Sequence, residues 1–267
     1  MNIRSLHQSV TQSFDQIRPG VDSVFAATLS KIDRRGRAVN IKSFTERLNV
    51  VLRPFAIRIT TEVNNSFGNP QENGGKYYPA IGGFCFEPSS PLKQARINVV
   101  LCVHSVTNRL DLPIDSWHYF QFRLLKVINH ELVHRAQYQS GRKRTNSLIF
   151  RPQVSASMDM HIYNEQRYLG DIDEIEAYAR DCVEEWNYLQ FDMPLTMASL
   201  KRQFRQQHSI LPSIEYYQDV FKHDETHPSV RRFFRKVMEW NKLVTPLASS
   251  LPIRPVYLLS RKPSSAL

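Results

Sequence analysis

Cysteine is scarce in this chain, long apolar runs are absent, and acidic residues are outnumbered. The three cysteines, Cys85, Cys102 and Cys182, are odd in number and widely spaced, with no CxxC pair. That argues against a cysteine-built zinc site and fits a reducing compartment, with each thiol serving as a small buried hydrophobe. No apolar run approaches the ~20 residues that a membrane helix needs. The opening MNIRSLHQSVTQSFDQIRPG lacks the apolar stretch of a secretory signal. The expectation is a cytoplasmic protein with no membrane partner. Against 25 Asp and Glu stand 35 Lys and Arg, a formal net charge of +10. The excess is clustered: Lys31 with Arg34, Arg35 and Arg37; Arg142, Lys143 and Arg144; Lys201, Arg202 and Arg205; Arg231, Arg232, Arg235 and Lys236. This balance favours an acidic partner or nucleic acid. Solvated helix faces are the ordinary use of such clusters, and no recognised nucleic-acid-binding motif accompanies them.

Hydrophobic residues make up 42% of the 267-residue chain and charged residues 22%, enough for a sizeable core and unlike a disordered chain. Residues 1–50 read as a polar helical segment with a basic turn, KIDRRGR. Strands follow: FAIRITTEV (55–63) alternates apolar and polar residues, IGGFCFE (81–87) is short and aromatic, and RINVVLCV (96–103) is nearly all apolar, as in a strand buried on both faces. A turn-rich loop, SFGNPQENGGKYYP, separates the first two. Beyond Pro113 the pattern is helical, with Asp115 or Ser116 placed to cap a helix to about Gln139. Further helices are expected at 172–190, 195–208, 213–222 and 228–244, the last three with Pro194, Pro212 and Pro228 near their starts. Strands first and helices after indicate an α+β fold. The divisions expected are 1–50, a catalytic core over 51–190, a helical extension over 191–247 and an arm over 248–267.

KVINHELVHRAQY, residues 126–138, carries the chemistry. Four residues separate His130 from His134, so on a helix they project about 40° apart and can grip one ion. Glu131 points about 100° away from His130, beside the ion instead of on it, where it can take a proton from a water on the metal. Zinc lowers the pKa of such a water toward ~7. Composition alone would produce this HExxH pattern with a chance of roughly 1–2%. The helix around it is apolar on nearly every side, from Phe120 through Leu124, Leu125, Ile128, Leu132 and Val133 to Ala136. Burying two imidazoles, a carboxylate and Asn129 there is costly unless they have partners, and a metal supplies one.

A catalytic zinc usually has three protein ligands. No His lies where HExxHxxGxxH would put it; RAQYQSGRKR follows His134. YLGDIDEIEAYARD, residues 168–181, is the richest downstream source of carboxylates. With HELVH at 130–134 and EIEA at 174–177, the chain resembles the gluzincin branch of zincin metallopeptidases over residues 95–190. That resemblance implies Zn2+ held by His130, His134 and Glu174, with Glu131 as the catalytic acid/base. It also implies a zincin-like fold whose last strand before the active helix, RINVVLCV, lines the substrate cleft. Thermolysin-like members often carry Asp four residues after the ligand Glu, where this chain has Tyr178. Glu176, Asp171, Asp173 and His161 stay open as other third ligands, and Asp171 through Glu174 also reads as a capping-box variant. Gln137 shares the face of the two histidines and is a candidate to orient a ligand. Tyr168 and Tyr178, with Tyr163 and His161, are candidates to steady an oxyanion.

The function expected is hydrolysis of a peptide bond in a peptide or protein substrate. The contrasting expectation is a phage-virion or DNA-associated structural protein that keeps a zincin fold with incidental or lost activity. The basic surface, the terminal arms and the nine glycines are compatible with it. A structural zinc has no need of Glu131.

Overall fold

The structure, a computed structural model, describes residues 2–35, 39–63, 80–86, 95–103, 109–110, 112, 114–141, 159–189 and 194–244. The loop 66–79, the basic run 142–144 and the arm 248–267 lie outside the described residues, as do the side chains of Arg34, Arg35 and Arg37. The architecture is mixed α+β, mostly helical with small sheets. No described helix is long and apolar enough to cross a membrane. Contacts divide the chain into two compact units, 1–145 and 146–267.

In the first unit, α1 (Ile3–Arg35) carries an apolar stripe at helical spacing, Leu6, Val10, Phe14, Ile17, Val21 and Phe25, all buried. It packs on α2 (Ile41–Leu52) and on α3 (Ile114–Gln139). Four rings lock the three helices: Phe25, Phe44, Trp117 and Phe120, with centroids 5.1–6.1 Å apart and mostly edge-to-face. Helix α3 begins at Ile114, with Asp115 and Ser116 in its first turn. Strand β1 (Val39–Asn40) pairs antiparallel with β5 (Arg109–Leu110).

The main sheet has the order β2-β4-β3, formed by Ile57–Val63, Arg96–Val103 and Ala80–Phe86. Strand β4 runs parallel to β2 and antiparallel to β3. The odd-numbered residues Ile57, Ile59, Ile97, Val99, Leu101 and Cys85 are buried, on the face where α3 packs against β3 and β4. Strand β4 is thus paired on both sides. Its backbone groups are spent within the sheet, so a substrate in extended form cannot pair with RINVVLCV as expected. Both edges belong to other strands. On the β2 edge, Asn49 of α2 holds both backbone groups of Ile59, donating to its carbonyl (2.9 Å) and accepting from its N–H (2.7 Å). Strand β3 has no partner on its outer edge among the described residues.

The second unit is helical: α4 (Met160–Leu169), α5 (Ile172–Tyr188), α6 (Met197–Arg205), α7 (Pro212–Phe221) and α8 (Pro228–Asn241). Pro212 and Pro228 open their helices, where a missing N–H costs nothing. Glu185 of α5 accepts from both the N–H and the hydroxyl of Ser213, at 3.0 and 2.9 Å, and so anchors the start of α7. Helix α5 packs along α8, and Tyr217 stacks on Phe233 with centroids 4.1 Å apart. Helix α4 lay outside the elements expected from the sequence, because MHIYNEQRYL is too polar to show a clear apolar stripe.

Candidate metal centre

On α3 the site residues sit in an apolar helix and are themselves buried: Asn129, His130, Glu131, His134 and Gln137. The two imidazoles face each other through their Nε2 atoms, 3.2 Å apart. Tetrahedral zinc with bonds of about 2.0–2.1 Å holds its ligand nitrogens about 3.3 Å apart, so the spacing already matches a shared ion. Gln137 explains how the second ring is set. Its Oε1 lies 2.9 Å from His134 Nδ1. An amide oxygen only accepts, so Nδ1 carries the proton and Nε2 keeps its lone pair.

Glu174 completes the donor set. His130, His134 and Glu174 each offer one ligand atom, all within 4.8 Å of one another, and all three residues are buried. Two imidazole nitrogens and a carboxylate oxygen are the donor chemistry of a three-ligand zinc site, so these residues fit the ion that the sequence implies. No other group of His, Cys, Asp or Glu among the described residues meets the same test.

The start of α5 shows why Glu174 is available. Asp171 caps the helix by accepting from the N–H of Asp173 at 2.8 Å. The N–H of Asp171 itself donates to the Tyr168 carbonyl at 3.1 Å. A capping box would spend the Glu174 carboxylate on that N–H; here the backbone has already satisfied it. Glu176, two residues on, is buried and pairs with Lys236 at 3.3 Å. Asp173 is buried, and neither it nor Asp171 joins the donor group. His161 is exposed, and Tyr163 lies under the Arg167 guanidinium, 5.7 Å from its ring centroid.

Four tyrosines surround the Glu174 carboxylate in the second unit. Tyr178 packs edge-to-face against Tyr168, Tyr216 and Tyr217, with centroids 5.7–6.2 Å apart. Burial is the main cause that pushes all four phenols above their ordinary range, and the Glu174 charge adds to it in each. They remain protonated donors at neutral pH. Tyr168, although 40% exposed, hydrogen-bonds with Glu174 and with Tyr178. Tyr178 therefore supports the carboxylate through a neighbour, at the position where thermolysin-like enzymes carry Asp.

Gly83 is a site residue that sequence reasoning missed. A Cβ built there would lie 2.7 Å from Val127 Cγ1 and 2.9 Å from both Cγ and Oε1 of Glu131. Only hydrogen fits between β3 and the Glu131 side chain. A Cβ at the neighbouring Gly82 would meet nothing within 4 Å. The available signal was a glycine pair inside a strand, which often marks a close approach. Tyr216 and Tyr217 were likewise missed, since nothing local connects them to Glu174.

Compared with protein-family models, curated proteins and solved structures, the chain matches none. The chemistry is therefore read from the donor set itself.

Proposed function

We propose that this chain is a zinc-dependent metallopeptidase in which His130, His134 and Glu174 hold the ion and Glu131 is the acid/base. The observation that carries the reading is the buried two-imidazole, one-carboxylate group, with a second buried carboxylate, Glu131, adjacent in the chain but outside the donor set. Zinc, when bound, supplies a Lewis acid that polarises a scissile carbonyl and lowers the pKa of water toward ~7. The chain's own residues supply the rest. Glu131 accepts the proton of the attacking water and returns it to the nitrogen of the leaving amine. Gln137 keeps the His134 Nε2 lone pair available, and Tyr168 steadies Glu174. Gly83 keeps Glu131 close against β3.

The same contact suggests where a substrate lies. An extended peptide gains main-chain hydrogen bonds by adding to a sheet edge. Strand β4 has none to offer, and Asn49 occupies β2 at Ile59. Among the described residues strand β3 keeps its outer edge, and Gly83 on it touches the acid/base. We assign the substrate to β3.

The test is direct. Protein purified without chelator should carry about one zinc per chain, and His130→Ala and His134→Ala should each lose it. Glu131→Gln should retain the metal and the fold but not the hydrolysis of an unstructured protein substrate, because an amide cannot accept the proton. Wild-type protein that stays metal-free after reconstitution overturns the reading. Zinc held without any hydrolysis favours the structural, virion-type or DNA-associated role instead.

A further inference from the structure

The face of the main sheet turned away from α3 is unlike the rest of the first unit. Residues paired across strands share a face, and the register places Arg58, Asn98 and Phe84 in one row. The adjacent row holds Arg96 opposite Phe86. Phe84 and Phe86 are 43% and 51% exposed, and their rings meet edge-to-face with centroids 4.9 Å apart. Beside them a cleft of about 780 Å³ is lined by Arg53, Arg58, Arg96, Thr60, Asn98 and Phe86. All three arginines are exposed, and among the described residues none of them makes an ion pair. Glu62 is the one acid on the described part of this face.

We propose that this face binds single-stranded nucleic acid, with Phe84 and Phe86 stacking on bases and Arg53, Arg58 and Arg96 neutralising phosphates. Exposed aromatic rings on an open sheet cost solubility and contribute nothing to the core, but they are stacking platforms for unpaired bases. The guanidiniums supply the sequence-independent attraction to the backbone. Thr60 and Asn98 add polar groups able to reach base edges. An acidic peptide fits less well, because the negative face of an aromatic ring repels a carboxylate. A duplex fits less well too, since its stacked bases expose no face to a ring. The proposal uses none of the metal ligands and holds whether or not the chain is a peptidase.

The experiment is fluorescence anisotropy on the full chain with a labelled oligothymidine of about twelve nucleotides. A duplex of the same length and a polyglutamate peptide serve as competitors. The single strand should bind, with the logarithm of affinity falling on the logarithm of salt with a slope of about −2 for three phosphate contacts. Phe84→Ala and Phe86→Ala should each weaken binding by roughly 5- to 150-fold, and Phe84→Trp should restore it. Arg58→Ala and Arg96→Ala should each lower the slope by about 0.7. The paired change of Arg231 and Arg235 to Ala, in the basic cluster of α8, should leave binding unchanged. All of these side chains are exposed, and matching circular dichroism and melting curves establish that the variants fold. Absence of binding by the wild type overturns the proposal. So does equal competition by the duplex, or by polyglutamate with no sensitivity to the phenylalanines, or loss confined to the α8 variant.

Discussion

The roles proposed for Gly83 and Glu174 can each be tested against a neighbouring residue. Gly83 and Gly82 form an internal control. Gly83→Ala drives a methyl into Val127 and Glu131, and overpacking of this kind costs typically about 1–3 kcal/mol. The variant should bind zinc, melt lower and lose most of its hydrolysis, because Glu131 is displaced. Gly82→Ala meets open space and should be neutral or slightly stabilising. Equal activity in the two variants would show that the contact with Glu131 has no part in the reaction. The second comparison is Glu174→Ala against Glu176→Ala, read by zinc content and melting. The first should lose the metal. The second strips Lys236 of one of two carboxylate partners, Glu239 remaining at 2.7 Å, so stability should fall while zinc stays. Normal zinc content in Glu174→Ala would defeat the ligand assignment. These roles were unevenly legible. His130 and His134 could be paired from sequence because four residues on any helix share a face. Glu174 and Glu176 differed only by the side of α5 that each presents, and the Lys236 partner on α8 lies 60 positions away.

At the scale of elements, helix ends hold the second unit together, and one of them is a histidine. His227 caps α8 by accepting from the Ser229 N–H at its Nδ1, 3.2 Å away. Burial holds its pKa below the ordinary value, with Asp224 opposing weakly. The folded state therefore binds this proton less readily than the unfolded state, so the stabilisation is complete above the unfolded pKa, about 6.5. It is lost as pH falls through that value toward the depressed one. Protonation also removes the acceptor and places a positive charge at a helix start. Melting temperature should thus drop between about pH 7 and 5, and His227→Asn, which still caps, should flatten that drop. An unchanged pH profile in His227→Asn would dismiss the role. Helix starts were visible where Pro212 and Pro228 mark them. The capping contacts themselves were not, because they depend on which residues pack behind each helix.

For the whole molecule, a metal that binds only the folded chain adds RT ln(1 + [L]/Kd) to stability, about 2.7 kcal/mol at a hundredfold excess over Kd. Chelation should lower the melting temperature of wild-type protein by several degrees. It should leave His134→Ala, already without metal, unmoved. A chelator effect of the same size in both proteins would place the stabilising ion elsewhere.

What the sequence determined by itself was local: the α+β order, the strand Arg96–Val103 to the residue, the helix bearing HELVH, and the i,i+4 geometry that makes two histidines a chelate. Each follows from a period of 2 or 3.6 along a continuous stretch. Tertiary structure alone decided the rest. The apolar run of Arg96–Val103 indicated burial on both faces, but only its odd-numbered residues form a fully buried row while Arg96 on the other face is exposed. Strand order made it central and left β3 with the unpaired edge among the described residues. It chose Gly83 over Gly82 as the glycine against Glu131, and it gathered four tyrosines around Glu174. These facts depend on which faces meet across distant parts of the chain, and no pattern along a single segment contains that information.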